Sequence, residues 1–193
     1  MHALTTRLNA VFFYGVFCIA VLCVFNIIAT IILPNEPKIH KFTVDEKFTL
    51  YNNDYTKVQH SRSYFDIDVD FSESINWNNH ITFMWISAEY ETGKKESKTT
   101  KVTIYDKIIP RDEKDLHHVI LKNQIFEYPL VDFFKSMSGK KVIFRLNWEH
   151  MPVVGPILKY SKEIGSITLP KTNNVPLNMI VRSEVHYEDI FDN

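Results

Sequence analysis

The sequence predicts a mainly β protein in which one N-terminal transmembrane helix precedes a single antiparallel β-sandwich domain. Residues 8–33 contain no charged side chain, and after Pro34 hydrophobic residues alternate with polar ones instead of running continuously. An apolar run longer than about 18 residues is typical of a transmembrane helix, whereas alternation is typical of half-buried strands. The roughly 160 residues that follow the run are enough for one domain of ordinary size.

The overall charge is nearly balanced. The chain of 193 residues carries 22 Lys+Arg and 23 Asp+Glu, for a formal net charge of -1. This balance argues against a strongly basic nucleic-acid binder and against an acidic disordered tail, so we expect no nucleic-acid partner. Both cysteines, Cys18 and Cys23, lie inside the apolar run, and the predicted domain therefore has no disulfide framework.

The apolar run has two interpretations, a membrane anchor and a cleavable signal peptide. The apolar part of a signal peptide is about 7–15 residues long and ends at small residues. The run here is longer and ends in bulky isoleucine and leucine side chains. We therefore predict a retained anchor in contact with the lipid bilayer. The predicted boundaries are a short N-terminus at 1–7, a transmembrane helix at 8–33, a β domain at 34–170 and a C-terminal tail at 171–193.

The charges that flank the run leave its orientation open. Arg7 precedes it, whereas Lys38, Lys41 and Lys47 follow it. Counting these charges mildly favours a cytosolic location for the C-terminal side, but long domains are translocated largely regardless of charge.

One face of the predicted helix carries small residues and an amide at intervals of three or four positions. Small residues allow helices to approach closely in lipid, and an amide can hydrogen-bond to a neighbouring helix. The alternative is that small residues are simply common in transmembrane helices and that the amide lies near an interface. The possible helix-contact residues are Gly15, Cys18, Leu22, Asn26 and Ala29.

The region after Pro34 contains about seven segments with strand patterning. Residues 65–71 alternate strictly between apolar and acidic side chains, and Glu46 interrupts a looser pattern at 42–50. Residues 81–90 are apolar on nearly both faces, which predicts a central strand covered on each side. The remaining segments are 102–109, 119–121, 141–148 and 164–169.

Helical patterning is weak between these segments. The best helical candidate is 124–135, and Pro129 interrupts it. We therefore prefer an antiparallel sandwich over an α/β fold. Trp77 and Trp85 are candidate core or interface anchors, and the position of Trp85 inside the predicted central strand favours the core.

Two groups of residues suggest metal sites, and both have simpler explanations. Asp66, Asp68 and Asp70 share one strand face, but a calcium loop needs a turn with glycine, so a solvated acidic face is preferred. His117 and His118 are adjacent on a strand and point to opposite faces, so they do not chelate one ion. We predict no metal-binding residues.

The sequence contains no recognisable catalytic or cofactor motif. Gly-x-Ser-x-Gly, Cys-x-x-Cys and phosphate-cradling glycine loops are missing from it. The sequence places His150 beside Glu149 at a strand end, which suggests a surface pair more than an acid–base dyad. We therefore predict no catalytic residues, no cofactor and no enzymatic activity of the chain itself.

Several short strings in the domain resemble one family, that of signal peptidase complex subunit 3, an accessory subunit of the endoplasmic-reticulum signal peptidase. The resemblance extends to about Pro170, and its most specific strings are Ser-Ala-Glu-Tyr and Asp-Lys-Ile-Ile. The matching positions are Phe65, Asp66, Asp70, Trp77, Ser87, Ala88, Glu89, Tyr90, Asp106, Lys107, Trp148 and Pro152.

The resemblance implies a single-pass type II protein of the endoplasmic-reticulum membrane, with its C-terminal domain in the lumen. It implies a non-catalytic role in signal-peptide removal, in which the chain stabilises and positions a catalytic subunit. The implied partners are that subunit, which carries the catalytic residues, and the other subunits of the complex.

Two rival functions remain open at the level of sequence. A membrane-anchored β-sandwich receptor or binding module would be exposed at the cell surface. A membrane-tethered hydrolase would be active as an isolated domain. Both predict behaviour that differs from that of an accessory subunit.

Overall fold

The computed structural model describes residues 4–45, 49–52, 59–91, 99–132 and 137–169. Within these ranges the chain forms one long helix, a short 3-10 turn at Lys114–Leu116 and ten antiparallel strands. The predicted tail at 171–193 lies outside the described residues.

The helix α1 spans Leu4–Ile32 and has no buried residue. It ends just before Pro34, whose ring disfavours a helical conformation at the residue before it. Beyond the last turn, the Asn35 side-chain Nδ2 donates a hydrogen bond to the Leu33 carbonyl oxygen at 2.9 Å, satisfying one of the carbonyls that a helix end leaves without a partner.

The strands follow in the order that the alternating segments indicate. They are β1 (Lys38–Val44), β2 (Thr49–Asn52), β3 (Gln59–Arg62), β4 (Tyr64–Asp70), β5 (Asn79–Glu91), β6 (Thr99–Pro110), β7 (His118–Ile125), β8 (Leu130–Asp132), β9 (Lys141–Pro152) and β10 (Leu158–Thr168).

The strands form two layers. One layer is a four-stranded sheet in the order β10-β9-β5-β6. The other consists of two three-stranded halves, β1-β4-β7 and β2-β3-β8. Each strand of the second half is next in the chain to the corresponding strand of the first half. Backbone hydrogen bonds extend the first half toward the second, from Asp45 N to the Tyr64 oxygen at 2.9 Å and from Phe126 N to the Ser63 oxygen at 3.0 Å, and Ser63 is the one residue between β3 and β4. The predicted mainly β, antiparallel sandwich with an N-terminal helix is confirmed.

Aromatic side chains fill the space between the layers. The Phe144 ring lies 5.5 Å from the Phe42 ring and 6.3 Å from the Phe126 ring, measured between centroids. The Phe65 ring meets that of Tyr105 edge-on at 5.6 Å. Alternating strands expose one face and bury the other, so the strict alternation at 65–71 becomes a set of fully buried apolar residues in β4.

The layers approach each other closely at Gly165. A β-carbon there would lie 3.0 Å from a ring carbon of Phe42, closer than ordinary contact allows. The register of β10 shifts between Glu163 and Gly165, so the bulge and the missing side chain together make room for the Phe42 ring.

The weak helical candidate at 124–135 contains, in the residues that the structure describes, the end of β7 and all of β8, with Leu130 buried in the core. The looser pattern at 42–50, which Glu46 interrupts, corresponds to the end of β1 and the start of β2. One expectation about an individual element is wrong. The segment at 81–90 is covered on one face only, because Phe83 and Trp85 lie half-buried on the outer face of β5.

Candidate functional site

The first candidate site is the junction between α1 and the β domain. Trp77, in the loop between β4 and β5, donates a hydrogen bond from its indole Nε1 to the side-chain Oδ1 of Asn26 at 2.8 Å. The backbone carbonyl of Trp77 in turn accepts a bond from Arg111 Nη1 at 2.8 Å. The helix therefore contacts the domain through a side-chain amide that lies close to its C-terminal end.

The loop between β9 and β10 makes the second contact with the helix. The positive φ of +121° at Gly155 is a conformation that favours glycine, and a β-carbon there would lie 3.1 Å from the Ile27 side chain. The buried Asn78 holds this loop to the domain: its Nδ2 donates to the Val154 oxygen at 2.8 Å and its Oδ1 accepts from Val154 N at 3.0 Å. The side-chain amide of Asn78 therefore holds the loop between β9 and β10 against the domain.

The connection between α1 and β1 is held by a third set of bonds. The Asn35 carbonyl oxygen accepts hydrogen bonds from Trp148 Nε1 at 2.8 Å and from His150 Nε2 at 3.3 Å. The Trp148 ring is buried and stacks on Tyr160 at 5.5 Å. The chain leaving the membrane helix is therefore bonded directly to the core of the four-stranded sheet.

His150 is buried at this junction, so the expectation of a surface pair with Glu149 is wrong. Its Nε2 donates to Asn35, and its Nδ1 accepts from the Thr82 hydroxyl at 2.9 Å. Glu149 points to the other face and pairs with Lys159 at 2.7 Å. Burial lowers the pKa of His150, an effect that the hydrogen bond to Asn35 partly opposes.

The lowered pKa predicts that stability falls as the pH drops below about 6.5, the pKa expected for this side chain in the unfolded chain. In that range the unfolded state binds more protons than the folded state, so unfolding becomes easier as acidity rises. One such group changes the free energy of unfolding by at most about 1.4 kcal/mol per pH unit. Urea unfolding of the full chain in detergent at a series of pH values measures this slope.

The matched variant for this measurement is His150→Gln, which does not titrate and retains an amide donor. Burial also lowers the pKa of His60, so the wild-type slope contains both contributions. The difference between wild type and His150→Gln isolates that of His150. Equal slopes in the two proteins would contradict the assignment.

The second candidate site is an apolar patch on the outer face of the four-stranded sheet, which we call the outer patch and define as Phe83, Trp85, Ile108 and Tyr128. The Phe83 and Trp85 rings stack at 5.3 Å, and Ile108 lies directly opposite Phe83 on β6. Phe83, Trp85 and Tyr128 also line an open groove of about 390 Å³. The expectation that Trp85 belongs to the core is therefore wrong.

A polar rim borders the outer patch. A hydrogen bond with Asp106 raises the pKa of the Tyr128 phenol. Further along the face, Glu89 accepts a bond from Arg145 Nε at 3.0 Å and lies 3.3 Å from Lys101 Nζ. An aromatic centre with a charged rim is the usual arrangement of a protein interface.

The possible helix-contact residues have different environments. Asn26 Oδ1 is bonded to Trp77, and Ala29 lies on the same face of the helix. Nearer the N-terminus, a β-carbon added at Gly15 would meet no other atom within 4 Å, and Leu22 is exposed. Cys18 is half-buried. In the described part of the chain, the β domain therefore does not cover the N-terminal part of this helix face.

The family-matching positions are mostly structural. Phe65, Ala88, Tyr90 and Trp148 belong to the buried core. Ser87 is buried and bonded by Asn147 Nδ2 at 2.8 Å.

The matching acidic residues stabilise the sheet surface or a turn. Asp66 Oδ1 accepts from the backbone of Asn123 at 2.8 Å, and Asp70 Oδ1 accepts from Ser72 N at 2.8 Å. Glu89 and Asp106 belong to the rim of the outer patch. Of the remaining matches, Trp77 and Pro152 lie at the helix junction, and Lys107 lies on β6.

The acidic face of β4 pairs with basic groups on neighbouring strands. Asp68 accepts a bond from His118 Nε2 at 2.7 Å, and the His40 ring lies 5.9 Å from that of His118. Two imidazoles and a carboxylate are donors that Zn²⁺ accepts, and their ligand atoms lie within 4.8 Å of one another. Asp68 and His118 bond each other directly at the surface, so we interpret the cluster as a surface pair.

His117 points the opposite way from His118. It is buried and bonds the backbone oxygens of Pro110 and Arg111 through Nε2. The two neighbouring histidines therefore have different environments, although His117 ends the 3-10 turn and only His118 lies on β7, so the expectation that both lie on one strand is wrong. The signal that sequence reasoning missed was His40, which a bulge between Ile39 and Lys41 places beside Asp68.

Comparison with known proteins identifies the family. A family model described as "Signal peptidase subunit" matches residues 1–172. Proteins named "Signal peptidase complex subunit 3" are similar to the chain. The one from Debaryomyces hansenii is 34% identical over 100 residues, covering 52% of this chain and 51% of the relative. The one from Yarrowia lipolytica is 34% identical over 109 residues, covering 55% and 57%.

A more distant relative aligns over most of both chains. The protein of the same name from Dictyostelium discoideum is 20% identical over 179 residues, covering 89% of this chain and 96% of the relative. By contrast, the alignments with the two yeast relatives span about half of their length. The helix α1 is long and apolar enough to cross a membrane. Because the family model extends through this helix and both layers of strands, the chain belongs to the signal peptidase subunit family.

Proposed function

We propose that the chain is a non-catalytic accessory subunit of the signal peptidase complex, which holds the catalytic subunit in position for removal of signal peptides. The observation that carries this proposal is the outer patch, an exposed aromatic surface on a rigid sheet that also contacts the membrane helix. In this role the chain supplies a binding surface, and the catalytic residues lie in the partner.

The environment of the polar residues supports a role without chemistry. The serine of the family-matching string, Ser87, is buried and bonded to Asn147. The buried His150 is engaged on both ring nitrogens, by Thr82 and Asn35. A catalytic base needs one nitrogen within reach of a substrate, and these bonds leave His150 without one.

The outer patch has the character of a docking surface. Stacked aromatic rings beside an exposed aliphatic side chain resemble the centres that contribute most of the binding energy at protein interfaces. The patch extends to β6, which is an edge strand of its sheet. An edge strand offers unpaired backbone groups, so the catalytic subunit can bind both the face and the edge.

The proposed organisation keeps the boundaries that the sequence indicates. The N-terminus at 1–7 is cytosolic, the anchor at 8–33 crosses the endoplasmic-reticulum membrane, the domain at 34–170 is lumenal and the tail is 171–193. On the helix face that carries Gly15, Cys18, Leu22, Asn26 and Ala29, the part with Gly15, Cys18 and Leu22 packs against a transmembrane helix of another subunit, and Asn26 contacts the chain's own β domain.

The outer patch predicts which substitutions separate the subunits. Changing Ile108 to aspartate places a charge among Phe83 and Trp85, and burying an unpaired charge at an interface is costly. We expect Ile108→Asp to abolish most co-purification of the catalytic subunit from detergent-solubilised membranes, and signal-peptide cleavage to decrease with it.

The matched control is Ile120→Asp. Ile120 lies on the outer face of the other sheet and is 52% exposed, compared with 57% for Ile108. The two variants therefore introduce the same charge at similar exposure on opposite faces of the sandwich. Equal association of Ile108→Asp and wild type would rule out the outer patch as the docking surface.

A further inference from the structure

The length of α1 fixes where the membrane surface lies along the helix. Its 29 residues extend about 43 Å, more than the roughly 30 Å of the hydrocarbon core. About 20 helical residues span that core. Twenty residues counted from Leu8, the first residue after Arg7, end at Ile27. Asn26 and Ile27 therefore lie where the hydrocarbon ends and the headgroups begin, and the last turn of the helix passes through the headgroup layer.

The β domain contacts the helix at this same depth. Trp77 Nε1 is bonded to Asn26 at 2.8 Å, and Gly155 packs on the Ile27 side chain. A hydrogen bond and a van der Waals contact leave only a few ångströms between the helix and these parts of the domain. The two loops that carry Trp77 and Gly155 therefore lie at the level of the headgroups.

The side chains that these loops expose are apolar. Trp77 is 58% exposed and Val153 is 66% exposed, and Ile157 is also exposed on the other side of Gly155. Tryptophan is enriched at membrane–water interfaces because its ring is apolar and its N–H is polar. Here the N–H is bonded to Asn26, so the ring can enter the apolar side of the interface without leaving a donor unpaired.

We infer that the β domain is seated in the bilayer surface, with Trp77, Val153 and Ile157 inserted among the phospholipid headgroups. The hydrogen bond between Trp77 and Asn26 sets the depth of insertion. We call these three inserted side chains the seat. The seat fixes the height and tilt of the domain relative to its helix, so that the outer patch lies at a fixed distance from the membrane.

The charges beside Trp77 are mixed. A cleft of about 570 Å³ lies between the helix end and the domain, and Trp77, Arg111 and Lys114 contribute to its lining. Arg111 pairs with Asp112 at 3.3 Å, and the exposed Glu113 and Asp115 flank Lys114. These charges add no net attraction to lipid phosphates, so the inference rests on the exposed apolar side chains and on their contacts with the helix.

The seat rests on the membrane-spanning helix and does not depend on which protein binds the outer patch or on which side of the membrane the domain lies. Loss of the seat and loss of the docking surface are therefore measured by different experiments. Association with the catalytic subunit tests the docking surface, and depth in the lipid tests the seat.

Tryptophan quenching by brominated lipids measures this depth. The full chain is reconstituted in nanodiscs of phosphatidylcholine brominated close to the headgroup or close to the end of the acyl chain. The chain has three tryptophans, so Trp85→Phe reports on Trp77 and Trp148, whereas Trp77→Phe reports on Trp85 and Trp148. We expect the shallow bromines to quench Trp85→Phe strongly, and Trp77→Phe to lose most of this quenching.

A second pair of variants retains Trp77 and its hydrogen bond to Asn26. In the Trp85→Phe background, Val153→Trp adds a reporter in the proposed seat and Ile120→Trp adds one on a distant exposed face. We expect the fraction of fluorescence quenched by the shallow bromines to rise with Val153→Trp and to fall with Ile120→Trp. Equal quenching of Val153→Trp and Ile120→Trp, together with no difference between the first two variants, would overturn the inference.

Discussion

Replacing Phe144 by alanine is expected to lower the free energy of unfolding of the domain by about 3–5 kcal/mol. Phe144 lies on β9 and is completely buried between the two layers. Its ring contacts those of Phe42 and Phe126, which belong to the opposite layer. Removing it forfeits the burial of the ring and leaves a cavity that the rigid sheets cannot close.

Chemical denaturation of the full chain in detergent, followed by tryptophan fluorescence, measures this loss. Trp148 lies further along the same strand and reports on the same core. The control is Ile120→Ala on the exposed outer face, which we expect to change stability by no more than about 0.5 kcal/mol. A loss below about 1 kcal/mol for Phe144→Ala would mean that the two layers do not meet at this ring.

The loss has a consequence in cells. A typical domain is stable by only about 5–15 kcal/mol, so Phe144→Ala removes a large fraction of the total. We expect the variant to be depleted by quality control, with reduced abundance of the partner that depends on it. This loss of partner differs from that caused by Ile108→Asp, in which the chain itself remains abundant.

Replacing Asn78 by alanine is expected to lower the free energy of unfolding by about 2–3 kcal/mol. The buried amide of Asn78 bonds both backbone groups of Val154. The substitution removes two hydrogen bonds and leaves half-buried backbone groups of Val154 without these partners, which costs more than losing a surface bond. It also releases the loop that contacts Ile27 in the helix.

Hydrogen exchange resolved along the chain provides the more specific readout. The Val154 amide loses its acceptor in Asn78→Ala, so we expect its exchange to accelerate, while amides in the centre of β5 and β9 remain protected. The control is Asn76→Ala, which removes one bond to the Asn78 amide and is expected to cost about 1 kcal/mol. Unchanged protection at Val154 would show that Asn78 does not anchor the loop.

These substitutions act on three separable parts of the molecule. Phe144 packs between the layers, Asn78 bonds the loop that contacts the helix, and Ile108 lies in the outer patch, the proposed docking surface. The proposed accessory role requires all three, because a docking surface positions a partner only if it is rigid and at a fixed height above the membrane.

Much of the strand order could be predicted from the sequence, because strand periodicity is a local property. The acidic alternation at 65–71 appears as β4, and the pattern at 141–148 appears within β9. The predictions failed where the local pattern was short or ambiguous. β3 and β8 span only four and three residues, and the apolar 81–90 segment has the same composition whether a partner covers its second face or not.

The contacts at the helix junction and at the histidine cluster are harder to predict from the sequence. The sequence leaves open whether Asn26 bonds another helix or lies near an interface, and it does not indicate the partner found in the structure, Trp77, which is 51 positions away. Similarly, the close approach of His40 to Asp68 depends on a bulge that no motif indicates. The shared cause is that these contacts are set by how elements pack, and neither partner has a local pattern that marks the other.

The sequence by itself determined that this chain has an uncharged membrane helix and an alternating β domain, because charge-free length and two-residue periodicity follow directly from the order of residues. It also carried the strings that resemble the family. Only the tertiary structure decided that the aromatic pair Phe83 and Trp85 faces outward and that Trp77 binds the helix. Burial and hydrogen bonding between distant residues are determined when strands pair and layers pack, since these steps decide which face of each strand is covered.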